Sequence, residues 1–150
     1  MPLLKTSGNN TADAYAGGVA ALPTYIEDVF STWLYTGNGS TQTITNGIDL
    51  AGKGGLVWAK DRTNVGANIL VDTVRGAQKT LRSESTAAET GSWVTVTGFN
   101  SNGFNIGNDT YVNGTGDNYT SWTFRKQPKF FDVVTYTGNG TRSEERRVGK

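Results

Sequence analysis

The hexapeptide Tyr35-Thr36-Gly37-Asn38-Gly39-Ser40 is the starting point, because five of its six residues return in the same order at positions 136–140. An alternating, strand-like run precedes each copy. Asn and Gly tolerate the positive φ of a tight turn, so we predict a strand and then a hairpin turn at each copy. The repeat indicates one complete domain at residues 25–128, followed at residues 129–141 by the first strand of a truncated second domain.

The composition is typical of an all-β protein. The chain has 150 residues, enough for one domain with a core, and 20 of them are glycines. Its many Gly, Thr and Asn residues suit turns and strands better than helix interiors. Short strand-like runs separated by turn residues predict a two-sheet antiparallel β-sandwich of seven or eight strands. The expected strands lie at residues 33–35, 41–45, 56–60, 69–72, 80–81, 93–97 and 119–126, with a hairpin turn between Phe99 and Phe104.

Two details of this sandwich can be predicted from the strand pattern. Residues 41–45 directly follow the first turn, so we expect them to form a hairpin with the strand before it. Leu56 and Trp58 share a face, as do Trp122 and Phe124, because side chains alternate along a strand. Burying an indole ring contributes on the order of a few kcal/mol, so we expect Trp58 and Trp122 in the core.

Several function classes are excluded by residues that the sequence lacks. There is no cysteine and no histidine, which removes disulfides, thiolate sites, His-ligated zinc and His-based triads. The net charge of +1 gives no electrostatic footprint for nucleic acid. Met1 to Leu4 lead into polar residues, so we expect neither a secretory signal nor a membrane-spanning segment.

The two ends of the chain differ from its middle. Residues 1–24 are small and polar, which predicts a flexible or extended arm; the alternative is a segment that orders only against a neighbouring subunit. For residues 26–30 we favour an irregular entry into a strand over a single helical turn. Residues 142–150 are highly charged and resemble a translated sequencing-adapter remnant, so we expect a non-native or disordered tail; the alternative is a natural solvated tail.

The candidate ligand-binding residues lie around residues 105–118, which we expect to form a long surface loop. Exposed rings beside amide and carboxylate groups suit carbohydrate, so Tyr111 and Tyr119 are candidates to stack on a sugar; the alternative is packing at a strand edge. Their polar neighbours Asn113, Asp117 and Asn118 complete the candidate set. Calcium is the cofactor that such oxygen donors would suit, but no spacing here matches a calcium loop, so we predict no metal and no cofactor.

The remaining charged residues are better explained by turns than by catalysis. We expect Asp72 to accept hydrogen bonds from the backbone and to pair with Arg75, although a ligand-gripping patch is the alternative. A glycosidase would need two facing carboxylates, and Glu84, Glu89 and Asp117 are scattered along the chain. We therefore expect no enzymatic activity.

A resemblance to a known family rests on the order of several motifs. The runs at residues 54–62, 72–76, 99–104 and 122–126, together with the repeat, are similar to a domain of phage tail-fibre and other virion structural proteins, mostly from aquatic phages. The resemblance covers residues 25–141 and departs from the pattern at Arg142. It implies a concanavalin A-like (lectin/glucanase-type, jelly-roll) sandwich and brings no catalytic residues.

The resemblance also implies a setting for the protein. The leading interpretation is a non-enzymatic structural module in a virion tail, with other virion proteins as partners, self-trimerisation by analogy with fibres, and a host-surface glycan as a ligand. We expect no nucleic-acid partner and no membrane insertion. The alternative is a free lectin-like carbohydrate-binding module, and the third interpretation is a glycoside hydrolase on the same fold.

Overall fold

The computed structural model of the protein describes residues 24–140. Within this range the chain forms eight β-strands and three single-turn helices. In chain order they are α1 (Ile26–Val29), β1 (Phe30–Thr36), β2 (Gln42–Thr45), α2 (Leu50–Lys53), β3 (Gly55–Asp61), β4 (Asn68–Asp72), β5 (Leu81–Arg82), β6 (Val96–Asn100), β7 (Gly103–Ile106), α3 (Thr110–Asn113) and β8 (Asn118–Arg125). The predicted all-β class is confirmed.

The strands form two antiparallel sheets. The large sheet has five strands in the order β1-β8-β3-β4-β5, and the small sheet has three in the order β2-β7-β6. In the large sheet, β8 lies between β1 and β3, so that Trp122 is directly opposite both Thr32 and Trp58. In the small sheet, Phe99 is paired with Phe104 across the predicted turn at residues 102–103. The two-sheet antiparallel sandwich is therefore confirmed.

The core lies between the sheets and is built mainly from aliphatic side chains. The small sheet contributes Phe104 and Ile106, which are both fully buried. The inward positions of the large sheet include small residues, since Ala59 and Thr123 are also fully buried. The whole core cluster is Tyr35, Ile44, Ile48, Leu50, Val57, Ala59, Ala67, Ile69, Val71, Val96, Phe104, Ile106, Val112 and Tyr119.

The prediction that Trp58 and Trp122 form the core is wrong. Both are half-buried and lie on the outer face of the large sheet, which we define as the side that points away from the small sheet. The predicted sharing of faces is correct, but the buried face of β8 is the one with Ser121 and Thr123, both fully buried. The period of two fixes which residues lie together, and it does not say which set points inward.

The predicted hairpin between the first two strands is also wrong. β1 pairs with β8 in the large sheet, whereas β2 pairs with β7 in the small sheet. The Asn38-Gly39 turn therefore carries the chain from one sheet to the other. An Asn-Gly pair allows the backbone to reverse its direction. Which strand the following segment pairs with depends on where its side chains become buried.

Local boundaries differ from the sequence-based prediction in four places. Residues 26–29 form helix α1, with the Tyr25 N–H donating to Asp28 at 2.9 Å, where an irregular entry was favoured. Strand β6 begins at Val96 and not at Trp93. Residues 105–118 include the fully buried Val112 and helix α3, so they are not simply a surface loop. Residues 132–140, which contain the second copy of the repeat, form no strand in the described structure.

Two predictions concern residues beyond this range. The predicted arm at residues 1–24 lies outside the described residues except for Thr24, and so does the predicted tail at residues 142–150.

Candidate functional site

The first copy of the repeat sits in a pocket of backbone and amide groups, which we call the cradle and define as Gly107, Val112, Asn113, Gly114 and Asp117. The hydroxyl of Tyr35 donates to the Val112 carbonyl at 2.9 Å. The Gly37 N–H donates to the Asp117 carbonyl at 2.8 Å. A Cβ atom on Gly37 would overlap the Gly114 carbonyl oxygen and lie 2.8 Å from the Asn113 carbonyl carbon.

Asn113 is the centre of the cradle. Its side chain is fully buried and pairs reciprocally with Asn38: the Asn38 N–H donates to Oδ1 at 2.9 Å, and Nδ2 donates to the Asn38 Oδ1 at 3.1 Å. The carbonyls of Ser40 and Gly107 also lie within hydrogen-bond distance of Nδ2, the latter at 2.7 Å, so its two hydrogens are shared among three oxygens. The Asn113 carbonyl accepts from the Gly39 N–H at 2.8 Å. Asn113, the last residue of α3, thus joins the residue after β7 to the turn after β1.

Tyr119 holds residues of the cradle in place through ring stacking and hydrogen bonds. Its ring is fully buried and stacks on Tyr35 at 5.3 Å between centroids. Its hydroxyl donates to the Thr110 carbonyl at 2.6 Å and accepts from the Gly114 N–H at 2.7 Å. Burial raises the pKa of Tyr35, and the neighbouring Tyr119 and Asp61 raise it further. Burial also raises the pKa of Tyr119. Both hydroxyls therefore stay protonated as hydrogen-bond donors.

A second feature is an open depression of about 780 Å³ on the outer face of the large sheet. Its floor and walls come from β1, β3, β8 and the turn after β3. The lining residues are Leu34, Lys60, Asp61, Arg62, Thr63, Asn64, Val65, Thr120 and Trp122. Trp122 packs against Trp58 with ring centroids 5.2 Å apart, and Leu34 and Val65 are exposed. The depression combines an indole, two aliphatic side chains, two cations and several hydroxyl and amide groups.

The carboxylate in this depression is committed to the backbone. Asp61 is almost fully buried, and its Oδ1 accepts from the N–H groups of Thr63 at 2.7 Å and Asn64 at 3.0 Å. The Asn64 side-chain amide donates to the other oxygen at 3.3 Å. Asp61 thereby fixes the turn that presents Arg62 and Val65 at the rim. Its function in the structure is to shape the depression.

The comparison with family models identifies where the chain belongs. The model described as "Domain of unknown function (DUF7483)" matches residues 26–150. The chain belongs to the DUF7483 family. Comparison with curated proteins and comparison with solved structures give no match.

The DUF7483 match begins at the first residue of α1 and includes both copies of the repeat and the charged tail. The domain limits proposed from the sequence stay predictions. The resemblance to phage tail-fibre domains and to concanavalin A-like folds also stays a prediction.

In this DUF7483 domain, the five predicted ligand residues do not lie together in one site. Asn113, Asp117 and Tyr119 belong to the cradle or its support, and the expectation that Tyr119 is exposed is wrong because the ring is fully buried. Tyr111 is half-buried and packs on Trp93 at 4.9 Å. Asn118 is exposed beside the depression, and its N–H donates to the Thr63 hydroxyl at 2.8 Å. The proposed sugar-binding role of these residues stays a prediction.

In the turn at Asp72, the carboxylate binds the backbone and Arg75, as expected from the sequence. One carboxylate oxygen accepts from the N–H groups of Val74 at 3.0 Å and Arg75 at 2.9 Å, and the other accepts from the Arg75 Nε at 2.6 Å. Arg75 also pairs with Glu89 at 3.2 Å. Of the other two glycosidase candidates, Glu84 accepts from the Asn68 N–H at 2.9 Å, and the backbone carbonyl of Asp117 accepts from the Gly37 N–H at 2.8 Å. Asp72 and Glu89 therefore share Arg75, and Glu84 binds the backbone at the first residue of β4.

The described residues contain no group of three or more His, Cys, Asp or Glu side chains placed to hold a metal ion. Over residues 24–140 no helix has the length and hydropathy needed to cross a membrane.

Sequence reasoning missed the depression because it treated the rings as core. A signal was present: Leu34 follows Trp33 directly, and Leu56, Val57 and Trp58 are consecutive. Such runs place apolar side chains on both faces of a strand, whereas a sheet with one solvated face alternates apolar and polar residues.

Proposed function

We propose that this DUF7483 chain is a non-enzymatic structural module of a phage virion, from the tail fibre or tail, that contributes to recognition of a host-surface glycan. The virion setting is supported by the motif order described above. The binding role is supported by the depression over Trp122, which is the observation that carries the proposal.

The depression has the chemistry that a sugar ring requires. One side of a pyranose is a row of C–H groups that packs on an aromatic ring, while its hydroxyls need hydrogen-bond partners. Trp122 supplies the ring, and Thr63, Asn64 and Thr120 supply polar groups around it. Lys60 and Arg62 add donors at the rim. An apolar floor with a few convergent polar groups is the usual composition of a small-ligand site.

Binding without catalysis is supported by the state of the carboxylates. Glycoside hydrolysis by the common mechanism requires two carboxyl groups on either side of the scissile bond. Asp61 is the only carboxylate among the residues that line the depression, and its oxygens are already occupied by Thr63 and Asn64. A hydrolase assay would contradict this view if the chain released reducing sugar and lost that activity on Glu84→Gln or Glu89→Gln.

The experiment that tests the binding role is a glycan array probed with the purified chain and with Trp122→Ala. We expect at least one glycan to bind, and we expect Trp122→Ala to reduce its affinity by roughly 10-fold or more, as expected for a loss of about 1.4 kcal/mol or more. The matched control is Trp33→Ala, since Trp33 is 42% exposed and lies outside the depression. Circular dichroism establishes that both variants are folded.

Equal losses in both tryptophan variants, or no bound glycan at all, would contradict the binding role. Tyr111→Ala belongs on the same array because it tests the site expected from the sequence. Binding that depends on Tyr111 and not on Trp122 would move the site to the loop around α3.

The alternative of a free carbohydrate-binding module predicts the same array result and a different genetic context. The neighbouring genes distinguish the two: we expect genes for virion components beside this one. Sedimentation velocity tests the trimer that the fibre analogy suggests.

A further inference from the structure

The first copy of the repeat shows what each of its residues contributes to docking. Tyr35 donates its hydroxyl to a cradle carbonyl, Gly37 permits close approach to Gly114, and Asn38 pairs with Asn113. Gly39 turns the chain with φ at +69°, a conformation that side chains rarely adopt. The Tyr-Thr-Gly-Asn-Gly sequence is therefore a set of groups matched to the cradle.

The second copy keeps the same groups in the same order. Gly140 has φ at +75°, close to the value at Gly39. The environment differs: Tyr136 is 76% exposed, and among the described residues beyond its two chain neighbours no atom lies within 4 Å of the Cβ position at Gly138. The tyrosine and the first glycine of this copy thus have nothing like the cradle around them.

The cradle of the same molecule is already filled by the first copy. The Tyr35 hydroxyl is bonded to Val112, the Gly37 N–H to Asp117 and the Asn38 side chain to Asn113. The second copy therefore needs a cradle on another domain.

We propose that residues 136–140 are a docking segment that binds the cradle of another DUF7483 domain. The partner is recognised by its chemistry: a buried Asn whose amide pairs with Asn139, a carbonyl that accepts from Tyr136, and a glycine that leaves room beside Gly138. The segment thereby links successive domains or chains through a motif that each domain also uses internally. This inference does not depend on glycan binding.

The test uses the full chain as the source of a cradle, with its own first copy loosened by Gly37→Ala. The probes are synthetic peptides of residues 132–140 and, as a positive control, residues 32–40. Each is titrated to millimolar concentration into the ¹⁵N-labelled variant and into the wild type. We expect saturable shifts at the Asn113 side-chain amide and at Gly107 and Gly114 in the variant, and at least 10-fold weaker binding to the wild type, whose cradle is filled.

A peptide carrying Gly138→Ala is the matched control, because its methyl group would overlap the partner's carbonyl as one on Gly37 would. We expect it to bind at least 10-fold more weakly. Should Gly37→Ala fail to fold, Asn38→Ala loosens the same loop without a clash. The proposal is overturned if the 132–140 peptide gives no saturable shifts, whether or not the 32–40 peptide binds, or if the Gly138→Ala peptide binds equally well.

Discussion

The repeat offers an unusually well-matched stability experiment, the comparison of Gly37→Ala with Gly138→Ala. Both glycines lie between Thr and Asn, so the substitution changes the local flexibility of the unfolded chain equally at the two positions. In the folded chain they differ. A Cβ on Gly37 would overlap the Gly114 carbonyl oxygen, whereas the space at Gly138 is open. The difference between the variants therefore isolates the cost of the clash.

The size of that cost follows from the contacts around Gly37. Backbone hydrogen bonds join Gly37 to Asp117 at 2.8 Å and Gly116 to Gly37 at 2.9 Å, and Gly39 donates to Asn113 at 2.8 Å. A shift of the loop that relieves the clash also stretches these bonds, each worth about 1 kcal/mol net. Added atoms in a close-packed region cost about 1–3 kcal/mol. We expect Gly37→Ala to lower the free energy of unfolding by about 3 kcal/mol.

Urea denaturation followed by tryptophan fluorescence measures both variants. We expect Gly138→Ala to remain within about 0.5 kcal/mol of the wild type. In thermal unfolding, the loss for Gly37→Ala corresponds to a decrease in Tm of about 12 °C, at about 4 °C per kcal/mol. Equal stabilities for the two variants would refute the reasoning, because the cradle would then not constrain Gly37.

Three further measurements test the cradle and the core. Asn113→Ala removes the buried amide and should lower the free energy of unfolding by about 2–4 kcal/mol, whereas Asn105→Ala in a half-exposed amide network should cost about 1 kcal/mol or less in the same urea assay. Unfolding free energies measured between about pH 9 and 11 should fall as the pH rises, by up to about 1.4 kcal/mol per pH unit per buried tyrosine, because the unfolded chain loses the phenolic protons first. The cause is the raised pKa of Tyr35 in the folded state, so Tyr35→Phe should flatten the slope; an unchanged slope would show that other groups dominate. Phe104→Ala should cost about 3–5 kcal/mol and Trp122→Ala clearly less, since only the former ring is fully buried; the opposite order would return the tryptophans to the core.

The sequence was sufficient for the fold class because turn chemistry and alternation are local signals. The hairpin at residues 102–103 and the Asp72 turn involve contacts between residues close in the chain, and both were predicted with their partners. The pairing of β1 with β8 joins residues far apart in the chain, such as Tyr35 and Tyr119. No local signal specifies that contact, so the nearest strand was wrongly chosen as the partner of β1.

For a related reason, the prediction assigned the wrong face of the large sheet to the core. Bulk is a good guide to burial when one face of a strand is polar, but β3 carries apolar side chains on both faces. Ser121 and Thr123 are fully buried while Trp122 between them is half-buried, and which of these sets lies inside depends on how the two sheets pack. The consecutive apolar residues of β1 and β3 indicate apolar side chains on both faces, but they do not say which face points inward, so they do not locate the depression over Trp122.

The placement of the depression separates the residues that set its surface chemistry from those that fill the core. Along β3 and β8, one set of alternate residues fills the interior while the next set, including Lys60 and Trp122, faces outward. Substitutions confined to every second position of these two adjacent strands therefore change the chemistry of the exposed surface and leave the packed interior unchanged.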